Sequence, residues 1–131
     1  DTAGQEKFRS MSRSFYSKTD IAIIVFDLSN SETVQLLDYW INEYQQFCPN
    51  GGIAIFGNKS DLDSPDKEKN TEIAGKVAQK YGCNLHHVSA LTGQNIQESV
   101  IQEVQLVLKK PKKDTLKEGI TIPSNKAKLQ Q

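Results

Sequence analysis

The stretch IAIFGNKSD, residues 53–61, joins an apolar run to a polar one across a single glycine. A strand that is apolar at successive positions is typical of a parallel sheet with both faces covered. Polar residues directly after such a strand stand where ligands bind in open α/β folds. The stretch therefore predicts an α/β protein with a candidate site at residues 58–61.

The chain around this stretch alternates between apolar runs and helical stripes. Residues 21–28 are predicted as a buried strand and residues 84–88 as a short third strand. Ser29 with Glu32 predicts a capping box for the helix after the first strand. Alternation of strand and helix predicts a mostly parallel sheet with helices on both faces.

Three stripes at helical spacing mark the predicted helices. Gly82 is expected to end the second helix, and Asn95 with Glu98 to cap the third. The stripes are Val34, Leu37, Ile41 and Tyr44; then Ile73, Ala74, Val77, Ala78 and Tyr81; then Ile96, Val100, Val104, Val107 and Leu108.

The four residues NKSD suit the recognition of guanine. A carboxylate such as Asp61 can accept hydrogen bonds from the N1–H and the exocyclic amine of that base. Asn58 can hold the loop or bond N7, and the stem of Lys59 can lie along the ring. A polar surface loop is the alternative interpretation of the same residues.

A second polar stretch, DTAGQE, occupies residues 1–6. An Asp at a strand end can hold Mg²⁺, directly or through water. A Gly offers a backbone N–H to a terminal phosphate, and a neighbouring Gln can orient an attacking water. A chain terminus without a function is the alternative for these residues.

With the stretch SAL at residues 89–91, the order and spacing of the motifs resemble the small GTPases of the Ras superfamily over residues 1 to about 110. DTAGQE is similar to their third motif, NKSD to their base-reading motif, and SAL to their last motif, usually written SAK. Within the superfamily the resemblance is to Rab proteins. The Rab-like features are Lys7-Phe8-Arg9-Ser10, Phe15-Tyr16, Phe26-Asp27 and Trp40-Ile41.

The resemblance implies GTP or GDP and Mg²⁺ as cofactors and gives each matched position a role. Asp1 would hold Mg²⁺ through water, Gly4 would contact the γ-phosphate, and Gln5 would place the hydrolytic water. Asn58, Lys59 and Asp61 would read the guanine base, and the backbone around Ser89 and Ala90 would support the base from the other side. Leu91, the last residue of the SAL stretch, is also expected at the base-binding site.

The resemblance also implies partners. Residues 3 to about 16 would form the second switch, ordered by GTP and loosened after hydrolysis, and would bind exchange factors, GTPase-activating proteins and effectors. Phe8, Phe15 and Tyr16 would face these partners, with packing into the core as the alternative for each. No nucleic acid is expected. The expected location is the cytoplasm, or an endomembrane surface if the C-terminus is prenylated.

Three departures qualify the resemblance. The phosphate loop, Gly-x-x-x-x-Gly-Lys-Ser/Thr, does not occur, since Gly75-Lys76 is followed by Val77 and lies in a predicted helix. Leu91 stands where the family usually has Lys. Residues 109–131 carry seven lysines against two acidic residues and no cysteine for prenylation.

We therefore expect a P-loop GTPase fold without its N-terminal strands. Residues 1–110 would be the C-terminal part of a small GTPase domain, and residues 111–131 a basic, disordered hypervariable tail. The expected function is a GTP-binding and GTP-hydrolysing switch of the Rab type in vesicle trafficking, here a fragment that would bind GTP weakly or not at all. The alternative is a nucleotide-free Rab-like protein-interaction module.

Overall fold

The computed structural model describes residues 16–110. Asp1, Gly4, Gln5, Phe8, Phe15 and the tail from residue 111 lie outside this range. The elements in chain order are β1 (Ile21–Asp27), α1 (Ser31–Gln35), α2 (Leu37–Phe47), β2 (Gly52–Asn58), α3 (Lys67–Tyr81), β3 (Asn84–His87) and α4 (Ile96–Lys109).

The three strands form a parallel sheet in the order β1-β2-β3, which confirms the predicted sheet type. The register places Asp27 of β1 opposite Asn58 of β2, and Gly57 of β2 opposite His87 of β3. The carboxyl ends of the strands therefore lie at one edge of the sheet, and the loops that follow them start side by side.

Helices cover both faces of the sheet, as predicted. On one face α1, α2 and α3 pack over side chains from all three strands. On the other face α4 packs over β2 through Ile96 and Val100. The core of the first face consists of Phe26, Leu28, Val34, Leu37, Ile41, Ile55, Ala74, Val77 and Ala78.

The predicted capping box at Ser29 is wrong. The backbone N–H and the hydroxyl of Ser29 both donate to Asp27 Oδ1, at 2.8 and 2.6 Å, so its side chain is engaged before the helix begins. Asn30 is the N-cap instead, and its side-chain oxygen accepts a hydrogen bond from the N–H of Glu32. The predicted single helix is also split at Leu36, whose N–H donates to the Thr33 carbonyl in a tighter turn.

The predicted C-cap of α3 is confirmed, whereas the predicted N-cap hydrogen bond of α4 is not formed. Gly82 ends α3 in the left-handed region at φ 63°, as predicted. Asn95 occupies the N-cap position of α4 but makes no capping hydrogen bond, because its side-chain amide donates to the His87 carbonyl. That bond fixes α4 to the end of β3 rather than closing its first turn.

The predicted apolar stripe of α4 is only partly buried, and two polar residues are buried that it does not include. Val104 and Leu108 are exposed, whereas Ser99 and Glu103 are buried. Glu103 Oε1 accepts from Asn84 Nδ2 at 2.9 Å and lies 2.5 Å from His86 Nε2. A buried carboxylate thus connects α4 to β3 at the centre of this interface.

Candidate functional site

The loops after β2 and β3 meet at the carboxyl edge of the sheet. The N–H of Val88 donates to the Gly57 carbonyl at 2.9 Å, and the N–H of Ser60 donates to the Val88 carbonyl at 3.0 Å. These two backbone bonds continue the pairing of β2 and β3 beyond the strands. They bring residues 58–61 against residues 89–91, the two stretches that the sequence marked as base-binding.

Asp61 is oriented by Ser89. The Ser89 hydroxyl is buried and donates to Asp61 Oδ1 at 2.6 Å, while the N–H of Thr92 donates to the same hydroxyl oxygen. Asp61 itself is exposed. In the described part of the chain, Asp61 Oδ2 has no hydrogen-bond donor, so this oxygen can accept from a ligand.

Asn58 is oriented in a similar way by Ala90, which follows Ser89 in the loop after β3. The N–H of Ala90 donates to Asn58 Oδ1 at 2.9 Å. This bond directs the side-chain oxygen of Asn58 toward Ala90 and its amide nitrogen away from Ala90. Between residues 16 and 110, the Asn58 Nδ2 group has no acceptor, so it can donate to a ligand.

Lys59 extends toward β1. Its backbone has φ 64°, which is uncommon for a residue with a side chain. Its ammonium group lies 2.6 Å from Asp27 Oδ2, across the paired ends of β1 and β2. Burial would raise the pKa of Asp27, but hydrogen bonds from Lys59 and Ser29 outweigh it and hold that pKa below its ordinary value.

Asp27 was not among the predicted site residues, although its position at the end of a strand could have indicated it. Asp27 ends a buried strand, as Asn58 does, so the strand-end rule placed both at one edge. Ser89 was expected to act through its backbone, whereas the structure shows its hydroxyl on Asp61.

Leu91 and Tyr16 complete the predicted positions that the structure describes. Leu91 is 85% exposed directly after Ala90, so its side chain projects beside the candidate site. Tyr16 is half-buried, and its ring packs on α2 against Tyr44 and Phe47 with centroid distances of 5.9 and 6.2 Å.

The groups present fit the edge of a guanine base. Guanine offers N7 and O6 as acceptors and its exocyclic amine and N1–H as donors. Asn58 presents a donor and Asp61 an acceptor, with Lys59 between them in sequence. The described residues thus supply the complementary pattern, whereas Asp1, the predicted magnesium ligand, lies outside them.

Residues 16–110 contain neither a metal-binding cluster nor a membrane-spanning helix. No group of three or more His, Cys, Asp or Glu side chains in this range is placed to hold a metal ion. No helix in the same range is long and apolar enough to cross a membrane.

Comparison with known proteins gives consistent relationships. The model of the Ras family matches residues 1–109. The chain is 36% identical over 115 residues to Ras-related protein Rab-27B of Rattus norvegicus, which covers 86% of this chain and 52% of that protein. It is 35% identical over 132 residues to probable Ras-related protein Rab-4A of Echinococcus multilocularis, covering 99% and 59%.

A third relative, Ras-related protein Rab-4B of Homo sapiens, is 37% identical over 111 residues, which are 84% of this chain and 52% of that protein. The aligned part thus amounts to little more than half the length of each of these relatives.

Proposed function

The chain belongs to the Ras family and is Rab-like within it, and from that membership we propose that it serves a guanine-nucleotide switch. The switch binds GTP and GDP with Mg²⁺ and hydrolyses GTP. By the Rab relationship it acts in vesicle trafficking, in the cytoplasm or on the surface of endomembranes. Its partners are exchange factors, GTPase-activating proteins and effectors.

The observation that carries this proposal is the pair of contacts that orient Asn58 and Asp61. A Ser89 hydroxyl and an Ala90 N–H each occupy one side-chain oxygen and leave the opposite atom for a ligand. A carboxylate fixed in this way discriminates among purines, because adenine lacks the 2-amine and would leave the carboxylate without a donor. A solvated polar loop does not require a buried serine beneath its aspartate.

The remaining roles rest on the family resemblance. Asp1 would hold Mg²⁺, which stabilises negative charge on the phosphates when bound. Gly4 would donate its N–H to the γ-phosphate, and Gln5 would orient the attacking water. Leu91 would cover one side of the base with its exposed apolar side chain.

The sequence of residues 1–131 does not contain the phosphate-loop motif that binds the phosphates of a nucleotide. Gly75-Lys76 lies within α3, and Lys76 pairs with Glu72 one turn earlier on the same helix, so this pair does not form a phosphate loop. We therefore expect the 131-residue chain to bind GTP with a dissociation constant well above micromolar. Micromolar binding of GTP by this chain would contradict that expectation.

The test of base recognition uses nucleoside monophosphates, which share one phosphate and differ in the base. We expect guanosine monophosphate to shift the amide NMR signals of Asp61 and Ala90 at millimolar concentration. Adenosine monophosphate should shift neither at the same concentration. Equal shifts with both nucleotides would show that binding uses only groups that the two nucleotides share, and would contradict the proposal.

If neither nucleotide shifts these signals, the alternative function takes precedence. The chain would then be a Rab-like protein-interaction module that uses no nucleotide. The large exposure of Leu91 favours this second candidate, since an apolar side chain beside the site suits a protein partner as well as a base.

A further inference from the structure

Lys67, the first residue of α3, contacts the loop that carries Asp61. Its ammonium group donates to the Ser60 carbonyl at 2.6 Å and to the Leu62 carbonyl at 3.3 Å. The first carbonyl belongs to the peptide bond that enters Asp61, and the second belongs to the residue that follows it. One cation therefore holds the backbone on both sides of the carboxylate.

The position of Lys67 is unfavourable for the helix itself. The N-terminal end of a helix carries partial positive charge, so a cation in the first turn is disfavoured and an anion is preferred. α3 does place Glu68 in its first turn, but Lys67 precedes it. Among the described residues, Lys67 has no carboxylate within ion-pair distance. Its hydrogen bonds to the Ser60 and Leu62 carbonyls are therefore the interactions that offset this unfavourable position.

The loop needs support from outside its own residues. Lys59 holds a left-handed backbone, which is strained for a residue with a side chain. A single backbone bond, from the N–H of Leu62 to the Lys59 carbonyl, closes the turn around Ser60 and Asp61 at 3.0 Å. The buried Ser60 hydroxyl has no hydrogen-bond partner in the described structure, so it adds no support.

We propose that Lys67 is a positioning residue that fixes the backbone of Asp61 for recognition of the guanine 2-amine. Ser89 holds the carboxylate of Asp61, and Lys67 holds the peptide groups beside it. The loop after β3 thus restricts the side chain of Asp61, and α3 restricts its backbone. This inference rests on the proposed function for its ligand but not for its geometry.

The test compares two lysines of the same helix. Lys67→Met removes the ammonium group and keeps most of the apolar stem. Lys76→Met is the matched control, because Lys76 is 74% exposed and its ion pair is with Glu72 within α3. Lys67→Arg is the conservative variant, since a guanidinium group can still donate to carbonyls.

The first measurement is amide hydrogen exchange, which needs no nucleotide. Loss of a charge-assisted hydrogen bond from the turn should speed exchange of the Leu62 N–H by about tenfold in Lys67→Met. Exchange of the Val88 N–H, which is bonded to Gly57, should be unchanged. Lys67→Arg should restore most of the protection, and Lys76→Met should behave as wild type.

The second measurement is the ratio of affinities for guanosine and inosine monophosphates, which differ only in the 2-amine. Lys67→Met should reduce this ratio by about threefold to tenfold, because a looser Asp61 accepts less well from that amine. A purely structural role would weaken both nucleotides equally and leave the ratio unchanged.

The two measurements separate the inference from the proposed function. Unchanged Leu62 exchange in Lys67→Met would overturn the positioning role itself. Faster Leu62 exchange with an unchanged ratio would overturn its role in recognising guanine. Absence of binding by wild type would overturn the proposed function, and the exchange result would still decide whether Lys67 holds the loop.

Discussion

On one face of the sheet, the closed face, α1, α2 and α3 lie over all three strands. On the other face, the open face, α4 is the one helix among residues 16–110 that lies over β2 and β3. The first face has a continuous apolar core with Ile55 of β2 at its centre. On the second face, Ile23 and Val25 of β1 remain 40% and 60% exposed, and the contact with α4 includes the buried Glu103. Apolar burial dominates one face, and a polar connection supplements a smaller apolar contact on the other.

The largest effect is expected from the closed face. Ile55→Ala should lower the free energy of unfolding by about 2–5 kcal/mol, because the cavity is surrounded by packed side chains. Val25→Ala on the open face should lower it by less than about 1 kcal/mol, since that side chain is mostly exposed. Urea unfolding of both variants measures the difference. Equal losses would mean that the open face is covered in solution.

The polar connection of the open face should come next. Glu103→Ala removes the acceptor of the half-buried Asn84 amide and the partner of the buried His86 ring, which should lower stability by about 2–3 kcal/mol. Glu98→Ala on the exposed side of α4 is the control and should lower it by less than about 1 kcal/mol. If thermal or urea unfolding shows equal losses for the two variants, α4 is held by its apolar contacts alone.

A smaller and pH-dependent effect is expected at Asp27, where the edge of the sheet meets Lys59. Its pKa is lowered in the folded state, so its contribution to stability is present above the unfolded pKa of about 3.9 and is lost as the pH falls through the folded value. Asp27→Asn should therefore lower stability by about 1 kcal/mol at pH 7, because Lys59 is half exposed and the pair is screened.

The acid behaviour of Asp27→Asn provides the check. Its difference from wild type should shrink as unfolding is repeated at decreasing pH. A difference that stays constant from neutral to acid conditions would show that the ion pair with Lys59 is not its source.

The smallest effect on stability is expected for Val25→Lys, which tests the open face as a surface. Exposed apolar strand residues favour association, and a lysine there opposes it. We expect wild type to self-associate at high concentration and Val25→Lys to do so less, with stability changed by less than about 0.5 kcal/mol. Sedimentation measurements that find no difference in association would contradict this.

The same contrast explains how much of the fold was predictable. The strands and the stripes of α2 and α3 were predicted correctly, because continuous apolar runs and helical periodicity report directly on burial. The stripe of α4 was partly wrong, since periodicity gives no indication that Ser99 and Glu103 would be buried. The cap at Ser29 was wrong because Asp27, two residues earlier, accepts a hydrogen bond from its hydroxyl, and this local contact competes with the capping role.

The candidate site was predictable in its place but not in its contacts. The strand-end rule and the motif NKSD indicated residues 58–61 and 89–91, and the structure brings these loops together. The hydroxyl of Ser89 on Asp61 and the ammonium of Lys67 on the Ser60 carbonyl come from residues distant from the motif's four positions. Their base-binding roles remain predictions.

The measurement that tests the central claim most directly is an exchange of base preference. Asp61→Asn replaces an acceptor by a group that can donate, and xanthine has a carbonyl oxygen where guanine has the 2-amine. We expect wild type to prefer guanosine monophosphate and Asp61→Asn to prefer xanthosine monophosphate, by NMR titration of the Ala90 amide. If both proteins show the same order of preference, Asp61 does not read the base, and the guanine-binding account of this edge is wrong.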